Sequence, residues 1–124
     1  MTEPNTPLPP LHDGFLNGFL VAGREVRIFV RTEGGVPFTL ILSDVKRLNV
    51  DAFSEGNIIL DCEVSTSPDI PVDTLAALNH GVRSAKEFGR LRELVVDEGY
   101  KLLTISPSYG AQVVALIKGL SVKE

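Results

Sequence analysis

The chain holds a single cysteine, Cys62, so no disulfide can close within it and no cysteine-based zinc site can be assembled. A lone thiol fits a reducing compartment, and the expected location is the cytoplasm. Histidine is scarce as well: His12 and His80 stand alone, and neither belongs to an HxxxH or His-x-x-Glu pattern. No apolar run approaches the roughly 18 residues that span a bilayer, and the N-terminus lacks the basic-then-apolar pattern of a signal peptide. Basic residues are outnumbered, 12 against 16, for a formal charge of -4. That balance argues against a nucleic-acid binder, which carries a basic excess to neutralise phosphates. Phosphate-cradling GxxxxGK or GxGxxG loops and a Gly-x-Ser-x-Gly elbow are missing too. The expectation is no cofactor, no metal, no nucleic acid and no membrane.

What is present is the raw material of one domain. The chain has 124 residues, 44% of them hydrophobic and 23% charged, enough for one core without staples. Residues 1–10 carry four of the eight prolines, Pro4, Pro7, Pro9 and Pro10. They read as an extended or disordered lead-in, with Pro7-Leu8-Pro9-Pro10 a weak PxxP spacing. Residues 11–124 read as a single α+β domain.

Strands come first. Residues 15–21 alternate, Ala22-Gly23-Arg24 supplies a turn, and residues 25–33 give the clearest strand of the chain. There Val26, Ile28 and Val30 point one way and Arg27, Phe29 and Arg31 the other. Gly34-Gly35 predicts a hairpin into a third strand, with Phe38, Leu40 and Leu42 set against Thr39, Ile41 and Ser43. Residues 46–50 read as a brief edge strand, and Ser54-Glu55-Gly56-Asn57 as a turn. Ile58, Leu60, Cys62 and Val64 then form another apolar row, opposite Ile59, Asp61 and Glu63.

After Pro68 the period changes to three and four. Leu75, Leu78, Val82, Ala85, Phe88, Leu91 and Val95 form a helical stripe that predicts one helical segment over about 71–93. A break is expected at Gly81 or Gly89, since each costs about 1 kcal/mol relative to alanine inside a helix. Residues 94–97 fit a helix or a strand. Residues 100–106 read as a strand, and Pro107-Ser108-Tyr109-Gly110 as a loop. Residues 111–118 are apolar on both sides, as in a strand buried on both faces, with a short helix as the alternative. The expected architecture is an α+β fold: a mainly antiparallel, curled or sandwich-like sheet, one helical segment, and a C-terminal strand pair.

Four features bear on function. His12 and Asp13 are adjacent, but neighbours in an extended segment point apart, so a turn with local hydrogen bonding is the simpler reading. Asp61 and Glu63 share one strand face, where they suit acid–base work or a hard cation, or a solvated face answered by Arg27 and Arg31. Phe29, Ile41 and Ile59 stand on the polar side of three strands and would form an apolar centre ringed by charge, the make-up of a protein contact surface. The competing reading is that the helix covers them. Tyr109 is an aromatic loop residue able to anchor a partner or to lie back on the sheet. Ser108 has no His or Asp at matched spacing.

His12-Asp13 opening a strand, Gly56-Asn57-Ile58-Ile59-Leu60-Asp61, and Pro107-Ser108-Tyr109-Gly110-Ala111 together resemble small uncharacterised bacterial proteins, some grouped with toxin-neutralising immunity proteins. The resemblance implies a bacterial, non-enzymatic binding protein and brings no catalytic residue with it. The leading expectation is therefore a non-catalytic interaction module. It would bind another protein, or itself, through Phe29, Ile41 and Ile59 or through Tyr109. The alternative is a small-ligand site or enzyme built from His12, Asp13, Asp61 and Glu63, which requires one concavity to gather His12 with Asp61 or Glu63.

Overall fold

A computed structural model describes residues 8–124. The expectations for residues 1–7, including the start of the PxxP spacing, lie outside the described residues. The first three strands are β1 (Phe15–Ala22), β2 (Glu25–Arg31) and β3 (Pro37–Ser43), an antiparallel meander in which Val26, Ile28 and Val30 face Leu42, Leu40 and Phe38. Then follow β4 (Arg47–Asp51), β5 (Asn57–Ser65), α1 (Val72–Leu78), α2 (Ala85–Glu98), β6 (Lys101–Tyr109), β7 (Gln112–Ile117) and β8 (Gly119–Lys123). All pairings are antiparallel, in the order β4-β7-β6-β5-β1-β2-β3-β8.

The two ends of that order are joined through the chain. β3 runs into β4 through residues 44–46, and β7 into β8 through Lys118 alone. Lys46 N–H donates to the Leu116 carbonyl at 2.8 Å and Lys118 N–H to the Ser43 carbonyl at 3.1 Å. The β3/β8 and β4/β7 ladders thus follow one another along the same two stretches of chain, and the sheet curls round to meet itself. Its concave side holds the main core: Leu16, Val26, Ile28, Leu40, Leu42, Ile59, Leu103, Ile105, Val113 and Ile117 among others. Each such aliphatic side chain contributes about 1.5–3 kcal/mol by leaving water.

A second core lies outside the sheet, where Leu75, Leu78, Phe88, Leu91 and Val95 of the helices pack on Tyr100, Leu102, Val114 and Leu116. β7 is therefore buried on both faces, as its doubly apolar sequence requires.

The single helical segment over 71–93 is corrected to two helices, and the C-terminal strand pair to three strands. His80 and Gly81 adopt left-handed backbone (φ 54 and 84), which no helix interior tolerates. Asn79 then donates its side-chain N–H to the Val82 carbonyl at 2.9 Å, fixing the break. Ser84 starts α2 afresh, its hydroxyl accepting from Glu87 N–H at 3.3 Å. Val82, assigned to the buried stripe, sits in the break and is exposed. Residues 94–97 are helical and α2 stops at Gly99, whose φ of 74 suits glycine. Pro107, Ser108 and Tyr109, expected in a loop, continue β6, so the connection to β7 shrinks to Gly110 and Ala111.

The other departure is in β5. Its pairing with β6 shifts register on both sides of Ile59. A bulge reverses the alternation: Ile59 turns inward and is 1% exposed, while Leu60, expected inside, is 45% exposed.

Candidate functional site

Pairing across four strands builds one row on the convex side of the sheet. Arg31 of β2 lies opposite Phe15 of β1, Phe15 opposite Ile58 of β5, and Ile58 opposite Tyr109 of β6. Directly paired residues share a sheet face, so Arg31, Phe15, Ile58 and Tyr109 stand in line. The Arg31 guanidinium lies 4.2 Å above the Phe15 ring, a cation–π contact worth about 0.5–1 kcal/mol at an exposed site. Its Nε also donates to Asn17 Oδ1 at 3.4 Å. Tyr109, at 62% exposure, closes one end of the row. Phe29, two residues before Arg31 on the same face, extends it at the other end and is 38% exposed. Ile41 pairs with Arg27 and is half-buried on that side.

Phe29, Ile41 and Tyr109 thus share one surface, and Ile59 does not. The helices pack on β4 and β7, so they leave Phe29 uncovered. Arg27 and Arg31 were expected to answer Asp61 and Glu63; they do not, because β1 lies between β2 and β5. Arg27 pairs instead with Glu25 at 3.0 Å. Asp61 and Glu63 face Ser106 and Thr104 across the β5/β6 ladder.

His12 and Asp13 do converge, contrary to expectation for an extended pair. Asp13 has left-handed backbone (φ 61), which brings its carboxylate to 3.5 Å from His12 Nε2. The other ring nitrogen, Nδ1, lies 2.6 Å from the Leu60 carbonyl and donates to it. That hydrogen bond, and after it the charge of Asp13, raises the His12 pKa above the usual value of 6.5. His12 lines a shallow depression of about 410 Å³ with Pro10, Thr32, Glu33, Val36 and Phe38. Glu63 lines a different one of about 280 Å³, among Ser65, Thr74, Thr104 and Ser106. The geometry therefore does not gather His12 with Glu63, and Asp61 lines neither depression, although its charge reaches His12. Among the described residues no group of three His, Cys, Asp or Glu is placed to hold a metal ion.

The three segments behind the family resemblance meet at the start of β5, where they hold the fold. Asp13 N–H donates to the Ile59 carbonyl and Ile59 N–H to the Gly14 carbonyl, both at 2.9 Å. Asn57 is 3% exposed and its amide ties three segments together. Its oxygen accepts from Ala111 N–H at 2.9 Å and Ser54 N–H at 2.8 Å. Its nitrogen donates to the Leu16 carbonyl at 3.2 Å and the Ser54 carbonyl at 2.6 Å. Gly110, with φ 85, must be glycine because a Cβ there would strike the Asn57 amide. Cys62 is half-buried, and loss of water around its thiol, with Asp61 and Glu63 adding to it, pushes it up to about 12.

Sequence reasoning missed Phe15 and Ile58 as members of the convex row, since only the pairing of β1 with β5 aligns them. Asn57 was read as turn chemistry; the Gly56-Asn57 signal located it without disclosing its partners at Leu16 and Ala111. Comparison with protein-family models, with curated proteins and with solved structures gives no match. No helix among the described residues is long and apolar enough to cross a membrane.

Proposed function

We propose that the chain is a non-catalytic binding protein whose partner is another protein, held on the convex face along Tyr109, Ile58, Phe15, Arg31 and Phe29. The supporting observation is the alignment of these side chains into one aromatic and aliphatic row that no helix covers. Such a composition, rich in Tyr, Phe and Arg, is that of interface anchors. The resemblance to small uncharacterised bacterial proteins, some grouped with toxin-neutralising immunity proteins, points to the same class of function in a bacterial cytoplasm.

The test is site-specific photo-crosslinking in cell extract, with benzoylphenylalanine at position 29 or 109 and at Val96 as an exposed control on α2. The proposal expects one protein adduct common to positions 29 and 109 and absent from 96. Equal labelling at all three positions, or none at 29 and 109, would overturn it.

A further inference from the structure

The second half of β1 is an unfinished edge. β1 pairs with β5 only at Phe15 and Leu16, so residues 17–22 have β2 on one side and, among the described residues, no strand on the other. Phe19 and Val21 lie opposite Ile28 and Val26, on the side of the ladder that faces the core. Yet they are 40% and 53% exposed, and outward-facing Leu20 is 54% exposed. The Phe53 ring of the β4–β5 connection packs edge-on against Phe19 at 5.5 Å; beyond that contact these side chains of core phase stay open to water, where a neighbouring strand would lie.

The other free edges carry the charges that discourage strand addition. β4 has Arg47 and Asp51, the free part of β5 has Asp61 and Glu63, and β8 has Lys123. Asn17-Gly18-Phe19-Leu20-Val21-Ala22 has no charge and no proline.

We infer that a second copy of the chain completes this edge, the two β1 strands pairing antiparallel about a two-fold axis at Leu20. Continuing both curled sheets with their core-facing sides aligned requires partners of the same parity. That places Phe19 opposite Val21 of the other copy, Gly18 opposite Ala22, and Leu20 opposite itself. An aromatic beside a β-branched residue is a favourable cross-strand pair, and Gly18 beside Ala22 keeps the backbones close. A neutral edge also lets two copies of net charge -4 approach with no like charges in the ladder. Arg27, which flanks Leu20 on β2, is held by Glu25 and stays on the outer side. The exposed patch is small beside the roughly 800 Å² per partner of a standard interface, so the dimer is weak and forms as concentration rises.

Sedimentation equilibrium over a wide concentration range, up to about 1 mM, tests this. The expected result is a reversible monomer–dimer equilibrium. Leu20→Lys places two ammonium groups face to face on the axis and should weaken association at least tenfold, as should Leu20→Glu. An equimolar mixture of the two should recover a heterodimer, because only a residue that meets its own copy allows this rescue. Urea unfolding of each variant checks that the fold is kept, since Leu20 lies outside the core. A monomer at every concentration, a dimer that survives both substitutions, or a mixture that fails to associate would overturn the inference. So would a dimer abolished by Phe29→Asp and untouched at Leu20, since that would put self-association on the convex row.

Discussion

Replacing Asn57 by alanine removes every side-chain bond at the junction of β1, β5 and the β6–β7 turn. Ser54 is near the surface, and water can recover its lost partners. Ala111 N–H and the Leu16 carbonyl cannot be rescued so easily, because both residues are buried. A buried polar group left without a partner costs about 1–3 kcal/mol, so two such groups cost about 2–6 kcal/mol together. Against a total stability of about 5–15 kcal/mol that is a large share. At a urea slope of about 1.5 kcal/mol per molar, the unfolding midpoint of Asn57→Ala should fall by about 1.3–4 M.

Asn57→Asp separates the acceptor half of the amide from the donor half. A carboxylate still accepts from Ala111 and Ser54, but its second oxygen confronts the Leu16 and Ser54 carbonyls. Only the protonated acid can donate there, so its pKa in the folded protein is raised above its unfolded value of about 3.9. A group raised in this way stabilises fully below the unfolded value, and that stabilisation is lost as pH rises through the folded value. Urea midpoints of variant minus wild type, measured at pH 4 and pH 7, should therefore diverge, with the aspartate variant much worse at pH 7. A midpoint change under about 0.5 M for Asn57→Ala, or a pH-independent difference for Asn57→Asp, would refute the reasoning.

Two further predictions concern the neighbouring segments. The His12 imidazole, followed by NMR, should titrate above 6.5 in the wild type and move down in Asp13→Asn, with the Leu60 carbonyl bond keeping part of the shift. Being raised, it favours the folded state below the unfolded value and loses that contribution as pH climbs through the folded one. Cys62, with its thiol pushed up to about 12, should react slowly with a disulfide reagent at pH 8 and rapidly once urea unfolds the chain; fast labelling of the native protein would contradict its burial.

Much of the fold could be read from the chain alone wherever the period of two ran unbroken. β2 and β3 alternate cleanly, and Val26, Ile28, Leu40 and Leu42 are buried as their pattern requires. Residues 111–118, apolar on both sides, left strand and helix open, because without alternation there is no period to read; the structure makes Gln112–Ile117 a strand buried on both faces. The period failed where the backbone inserts a residue: the bulge around Ile59 exchanged Ile59 and Leu60 between core and surface, and with them one member of the expected contact face. A helix break was expected at Gly81 or Gly89 as a cost and falls at Gly81, while Gly89 stays inside α2; its closure by Asn79 and restart at Ser84 depend on hydrogen bonds that periodicity does not register. The meeting of His12 with Asp13 turned on one left-handed residue. The convex row needed the strand order itself, because residues 15, 31, 58 and 109 become neighbours only once β1 lies between β2 and β5.

The uncovered convex row is proposed as the surface that meets a partner. Phe29→Asp and Tyr109→Asp, tested for recovery of the crosslinked partner with urea midpoints measured in parallel, address this most directly. The expected result is partner binding lost at least tenfold in both variants with midpoints within about 0.5 M of wild type, since neither residue belongs to a core. Binding that survives both substitutions in the folded protein would contradict it.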